Sequence, residues 1–189
     1  MKDLLVDVLK LLSERRSEKK LTTPAPSPEQ LELILKSALQ VPDHGKLQPY
    51  HFVVIKQEQM AQFAELLKDA VDEFEMGEEK LQKAQNLANR APLVIGVVAK
   101  INPDVKKVPT WEQMLTAGCA AYSIQLAANA LGFANVWVSG KWVDGSALRQ
   151  AFGCQGQDKV VALLMIGTPQ NQCEKEKRCA NLADFVSYL

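Results

Sequence analysis

The sequence predicts mixed α and β elements around one sheet, and three observations carry that prediction. Two apolar runs rich in β-branched residues, Leu93–Ala99 and Val160–Ile166, read as strands buried on both faces. Between and before them lie stretches of helical periodicity, clearest in the stripe Leu31, Ile34, Leu35, Ala38 and Leu39. At 189 residues the chain suffices for one full core and is too short for two ordinary domains. A single domain over residues 1–189 is expected.

From Leu4 to Leu12 apolar residues recur at helical spacing, and a polar exit follows near Arg16. Prolines 24 and 26 exclude a helix in the next segment, because they remove donors and restrict the residues before them. Ser27-Pro28-Glu29-Gln30 then supplies an N-cap serine, a proline at the first helical position and a glutamine at the third, a strong helix start. His51–Ile55 reads as a strand, and residues 58–90 as two charged helices broken near Gly77. The segment from Trp111 to Leu131 is a long helix rich in alanine and apolar around most of its circumference, which predicts burial in a core or an interface, with Gly132 as its stop. Asn135–Gly140 reads as a short strand ending in turn residues and Ser146–Phe152 as a short helix. The tail after Pro169 starts polar and ends in the apolar group Phe185, Val186, Tyr188 and Leu189.

Composition limits the function classes. Lys+Arg and Asp+Glu number 22 each, and a neutral total argues against a broad nucleic-acid or anionic-membrane surface. Acidic residues interrupt the first stretch where a secretion signal needs an unbroken apolar region, and no run approaches the roughly 20 residues that span a bilayer. A cytoplasmic protein is expected. Cys119, Cys154, Cys173 and Cys179 show no CxxC pairing and read as buried free thiols. With two histidines and no acidic cluster beside them, no metal site is expected.

Three groups could carry chemistry. Arg15-Arg16-Ser17 offers two guanidiniums and a hydroxyl matched to phosphate oxygens, or else two arginines that complement a helix C-terminus. The loop Pro42-Asp43-His44-Gly45-Lys46-Leu47-Gln48-Pro49 packs special backbone residues between a helix and a strand, where a scaffold presents function. Within it His44 is a ligand donor, a general acid or a polar turn residue, and Gly45 would let backbone approach a flat ligand. Trp137 packs on an aromatic cofactor or belongs to the core. No G-x-S-x-G, P-loop or G-x-G-x-x-G pattern is present.

The order of these pieces resembles the flavin-dependent nitroreductase family, and within it the short bacterial members of the YdjA-like type. The resemblance rests on Arg15-Arg16-Ser17, on Val41 to Phe52 with its Gln48-Pro49-Tyr50-His51-Phe52 end, on Ala117-Gly118-Cys119-Ala120 through Leu131-Gly132-Phe133 to Trp137, and on Ile166-Gly167-Thr168-Pro169. It covers nearly the whole chain. It implies an α+β fold with a helix-flanked, mainly antiparallel sheet, and a homodimer with FMN at the subunit interface. It also implies that Arg15, Arg16 and Ser17 contact the FMN phosphate and ribityl chain, and that Trp137, Val138 and Ser139 form the strand segment against which the flavin lies. Gln40 and His44 then touch the flavin from the opposite subunit, which assigns His44 to holding FMN rather than to proton transfer. Lys19 matches a lysine near the pyrimidine edge of the ring. The implied activity is transfer of hydride from NADH or NADPH through FMN to a small-molecule acceptor, nitroaromatic or quinone-like, by a ping-pong mechanism, with no catalytic protein residue. Ene reduction or dehydrogenation by the same flavin, or a non-catalytic flavin-binding redox sensor, are the alternatives. Lys46 stands where many members carry asparagine, and Lys177 or Arg178 could complete the phosphate site from the tail.

Overall fold

A computed structural model describes residues 8–170 and 180–189. The start of the predicted first helix, Cys173, Cys179, Lys177 and Arg178 lie outside the described residues. In chain order the elements are α1 (Val8–Glu14), β1 (Leu21–Thr22), α2 (Pro28–Ala38), β2 (Tyr50–Lys56), α3 (Met60–Glu73), α4 (Glu78–Ala88), β3 (Leu93–Ala99), α5 (Thr110–Ala130), β4 (Ala134–Val138), α6 (Ser146–Ala151) and β5 (Lys159–Pro169). Every helix and long strand expected from the sequence forms. The two-residue β1 is an addition, too short and too close to prolines to leave a pattern.

All strand pairings are antiparallel, in the order β1-β5-β3-β2, with β4 also paired to β5. The expected α+β fold with a helix-flanked antiparallel sheet is therefore present. β3 runs between β2 and β5 and is buried along its whole length, which explains its lack of polar alternation. Its side chains divide the core. Leu93, Ile95 and Val97 face Ile34, Ala120, Ala121 and Ile124 of α2 and α5. Val94 and Val98 face Phe63, Leu67, Leu87 and Leu148 of α3, α4 and α6. Gly96 sits on that second face because a Cβ there would come within 2.2 Å of the Phe152 ring.

The β3–β5 register shifts between Val97 and Val98, whose partners are Ala162 and Val160. Val161 is passed over, as at a β-bulge, and its carbonyl accepts the Trp137 indole N–H at 3.1 Å. α2 starts as its sequence predicts: the Ser27 hydroxyl accepts from the Gln30 N–H at 3.3 Å and the Gln30 side chain accepts from the Ser27 N–H at 2.9 Å.

α5 is not buried all round. Gln113, Thr116, Ala117, Ala120, Ala121, Ile124, Gln125 and Ala128 face inward, and alanines let the helix lie close to the sheet. Trp111, Leu115 and Tyr122 are exposed on its outer side, the first two at 60 %. Cys119 shares that outer side and Cys154 is half-buried, so the expected burial of free thiols fails at Cys119. Burial pushes the Cys154 thiol above its ordinary pKa, which makes it a poor nucleophile.

Candidate functional site

The segment after α1 is tied into the sheet by one residue. Asn135, at the start of β4, is fully buried, and its side chain exchanges two hydrogen bonds with Gln125 of α5, at 2.7 and 3.0 Å. Its carbonyl accepts from the Glu18 N–H at 2.9 Å. Arg15, Arg16 and Ser17 are therefore held against the α5–β4 seam. The Arg15 guanidinium lies 6.0 Å from the centre of the Tyr122 ring, the outer reach of a cation–π contact. Arg16 caps the end of α1, its Nη1 donating to the carbonyls of Ser13 and Arg15 at 2.8 Å each. The alternative reading of this arginine, as a complement to a helix C-terminus, is thus part of its role. Its Nε, however, is buried with no hydrogen-bond partner among the described residues. An unpaired buried donor is costly, and an anion at this position would satisfy it.

Beside this segment opens a cleft of about 560 Å³ lined by Gln40, Pro42, Leu115, Cys119, Tyr122 and Trp137, among others. Two of the predicted residues, Gln40 and Trp137, meet here, and Arg15 approaches it through Tyr122. Trp137 is partly buried, with its indole fixed by the Val161 carbonyl, and it packs against the core while also lining the cleft. Val138 is half-buried at the end of β4 and Ser139 follows it, exposed; Lys19 is exposed beyond Ser17.

His44 does not line the cleft. It begins a 3-10 turn, His44–Lys46, and its Nδ1 lies 2.6 Å from the Glu112 carboxylate in the first turn of α5. The loop around it is held by Asp43, whose carboxylate accepts the N–H groups of Leu47 at 3.2 Å and Gln48 at 2.7 Å. The Thr116 hydroxyl donates to the Pro42 carbonyl at 3.2 Å. Gly45, Lys46 and Gln48 all have positive φ, at 78°, 53° and 49°. Gly45 is needed for that conformation, and a Cβ there would also come to 3.1 Å from Val108. The close neighbour at this glycine is Val108, where a flat ligand was the expected one. Burial, helped by the Asp43 charge, pushes the Tyr50 phenol above its ordinary pKa, keeping it neutral.

A second cavity of about 560 Å³ lies near Leu47, Pro49, Lys100, Asn102, Gln113 and Asp158. Its strongest polar groups are already committed. Lys100 pairs with Asp158, and Gln113 holds the backbone of Asn102 and Val108. The Gln40–Trp137 cleft, which Arg15 approaches through Tyr122, is the better ligand site.

Sequence reasoning missed Tyr122, Asn135, Asp43 and Glu112. Tyr122 had a signal, as the one aromatic residue within the alanine-rich part of its helix. Glu112 had none, because its partner lies 68 positions away. Among the described residues no group of three or more His, Cys, Asp or Glu side chains forms a metal cluster, and no helix is long and apolar enough to cross a membrane.

Known proteins share both the pattern and the fold. A protein of Haemophilus influenzae provisionally named NAD(P)H nitroreductase is 61% identical over 97% of this chain and all of its own length. Escherichia coli YdjA, named in the same provisional way, is 42% identical with the same coverage. A nitroreductase-type structure from Desulfovibrio desulfuricans, in complex with FMN, superposes with a TM-score of 0.71 at 23% identity, covering 97% of this chain and 96% of that one. The model of the nitroreductase family matches residues 12–168, from the arginine segment to the end of β5. The fold, the Gln40–Trp137 cleft and this match agree, and the chain belongs to the nitroreductase family.

Proposed function

We propose that the chain is an FMN-dependent NAD(P)H oxidoreductase, a single FMN-binding domain working as a homodimer, that reduces nitroaromatic or quinone-like acceptors. The observation that carries the reading is the pair Arg15 and Arg16, with an unpaired buried Nε, held beside an aromatic-walled cleft. This donor set suits FMN, because a phosphate takes up guanidinium N–H groups and a flat ring lies against Trp137 and its neighbours. When bound, FMN supplies hydride uptake from NAD(P)H and its return to an oxidised acceptor in a separate half-reaction.

The protein's part is binding and orientation. Arg15, Arg16 and Ser17 hold the phosphate end, and the Asn135–Glu18 bond fixes their distance from β4. Trp137, Val138 and Ser139 support the ring, and Lys19 favours negative charge at its pyrimidine edge. Gln40 lines the cleft within its own subunit, and His44, which does not, completes the site from the second subunit. The outer face of α5 gives that subunit a surface to cover: Trp111, Met114, Leu115 and Tyr122 are exposed along it.

The purified protein should be yellow with a flavin spectrum and sediment as a dimer. Arg16→Ala should weaken FMN binding about thirtyfold, the loss of roughly 2 kcal/mol in charge-assisted hydrogen bonds. A chain that is colourless and takes up no added FMN would defeat the reading.

A further inference from the structure

We propose that Glu112 is the positioning residue for His44, fixing the imidazole proton on Nδ1 so that Nε2 is the atom offered to the ligand; the proposal rests on the flavin reading. Nδ1 and the Glu112 carboxylate are 2.6 Å apart, and His44 is the one side-chain hydrogen-bond partner of Glu112 among the described residues. An ionised carboxylate only accepts, so Nδ1 must be the donor, in the neutral ring and in the charged one alike. In the neutral ring Nε2 then carries the lone pair and accepts from a ligand hydroxyl or N–H, both of which FMN offers.

The surroundings separate this role from loop stability. The backbone of the loop is held by Asp43, which receives two N–H groups, and by Thr116, which donates to Pro42. None of these bonds involves Glu112. The His44 side chain is 61 % exposed and the Glu112 side chain 27 %, so the pair adds little to folding. What it adds is direction: one carboxylate in the first turn of a rigid helix selects one rotamer and one tautomer of a ring that solvent would leave mixed.

The test uses the full chain with 15N-labelled histidine at alkaline pH, where two histidines give a simple spectrum and His44→Ala assigns it. His44 should carry its proton on Nδ1. Glu112→Ala should move it to Nε2 and weaken FMN binding roughly three- to tenfold, the range for a partly exposed ion pair. Glu112→Gln should keep the Nδ1 proton, because its amide oxygen also accepts, and should lose less affinity. In a His44→Ala background, Glu112→Ala should change FMN affinity less than about twofold, as for residues acting through one contact.

An Nε2 proton in the unaltered protein, or an equal affinity loss in the His44→Ala background, would overturn the proposal. Should Glu112→Ala fail to fold, the unaltered protein and Glu112→Gln still decide it. A chain that binds no FMN removes the flavin reading, and the tautomer of the flavin-free protein then tests Glu112 by itself.

Discussion

Asp158, only 3 % exposed, pins the turn before β5 to the end of β3. Its carboxylate accepts the Ile101 N–H at 2.8 Å, the Gln155 N–H at 2.9 Å and the Lys100 ammonium. Burial alone would raise its pKa, but the Lys100 ammonium and these two N–H groups together hold it below the usual value. A depressed folded-state pKa contributes stability that is complete above the ordinary aspartate value, about 4, and is lost as the pH falls through the folded value. Asp158→Asn should therefore cost about 2 kcal/mol at pH 7 in urea unfolding, with the gap to the unaltered protein closing towards acid pH. Gly96→Ala is a second residue-scale case. Its methyl group would overlap Phe152, and overpacking of this kind costs about 1–3 kcal/mol. Calorimetry should give a lower melting temperature with flavin binding intact. Neither role is legible in the sequence, since Asp158 reads as an ordinary loop acid and its partner Lys100 lies 58 positions away. Gly96 reads as one more apolar position in a strand.

At the scale of elements, the start of α2 was legible because its chemistry is local: Ser27 and Gln30 are three residues apart and satisfy each other's backbone. Ser27→Ala should destabilise the protein by about 1 kcal/mol and Ser27→Gly by less, measured as shifts of the urea midpoint at constant slope. The helices and strands of the core were legible for the same reason, as periodicity is a property of neighbours. The loop before β2 was only partly so. Its glycine marked one left-handed residue, but Lys46 and Gln48 adopt the same region in a loop where Asp43 binds the N–H groups of Leu47 and Gln48. Asp43→Ala should thus release the loop, raising hydrogen exchange at Leu47 and Gln48 while leaving the sheet protected. The all-round apolarity of α5 is another partial case. Its inner half answers to the sheet, and its outer half to the proposed partner subunit.

For the molecule as a whole, large exposed apolar side chains among the described residues lie mostly on α5 and near the chain ends, with Leu33 and Leu39 at α2 besides. Val8 and Leu9 of α1, Trp111 and Leu115 of α5, and Phe185 and Tyr188 near the C-terminus are all exposed. Leu115→Arg would put an unpaired charge at the centre of the proposed interface, which costs several kcal/mol. Analytical ultracentrifugation should then show monomer, and flavin binding should weaken with loss of the dimer, across which His44 is proposed to act. The sheet carries one more consequence, in the order of events during synthesis. β1 and β4 pair only with β5, among the described residues, and β3 needs β5 to cover its second edge. The strand on which most of the sheet depends is thus the last of the described strands to leave the ribosome. Until Lys159–Pro169 emerges, the nascent chain can close little more than the β2–β3 pair, so most of the sheet must await the synthesis of β5. Stalled chains ending before Lys159 should be digested by protease as readily as unfolded ones, with protection appearing only once β5 has cleared the exit tunnel.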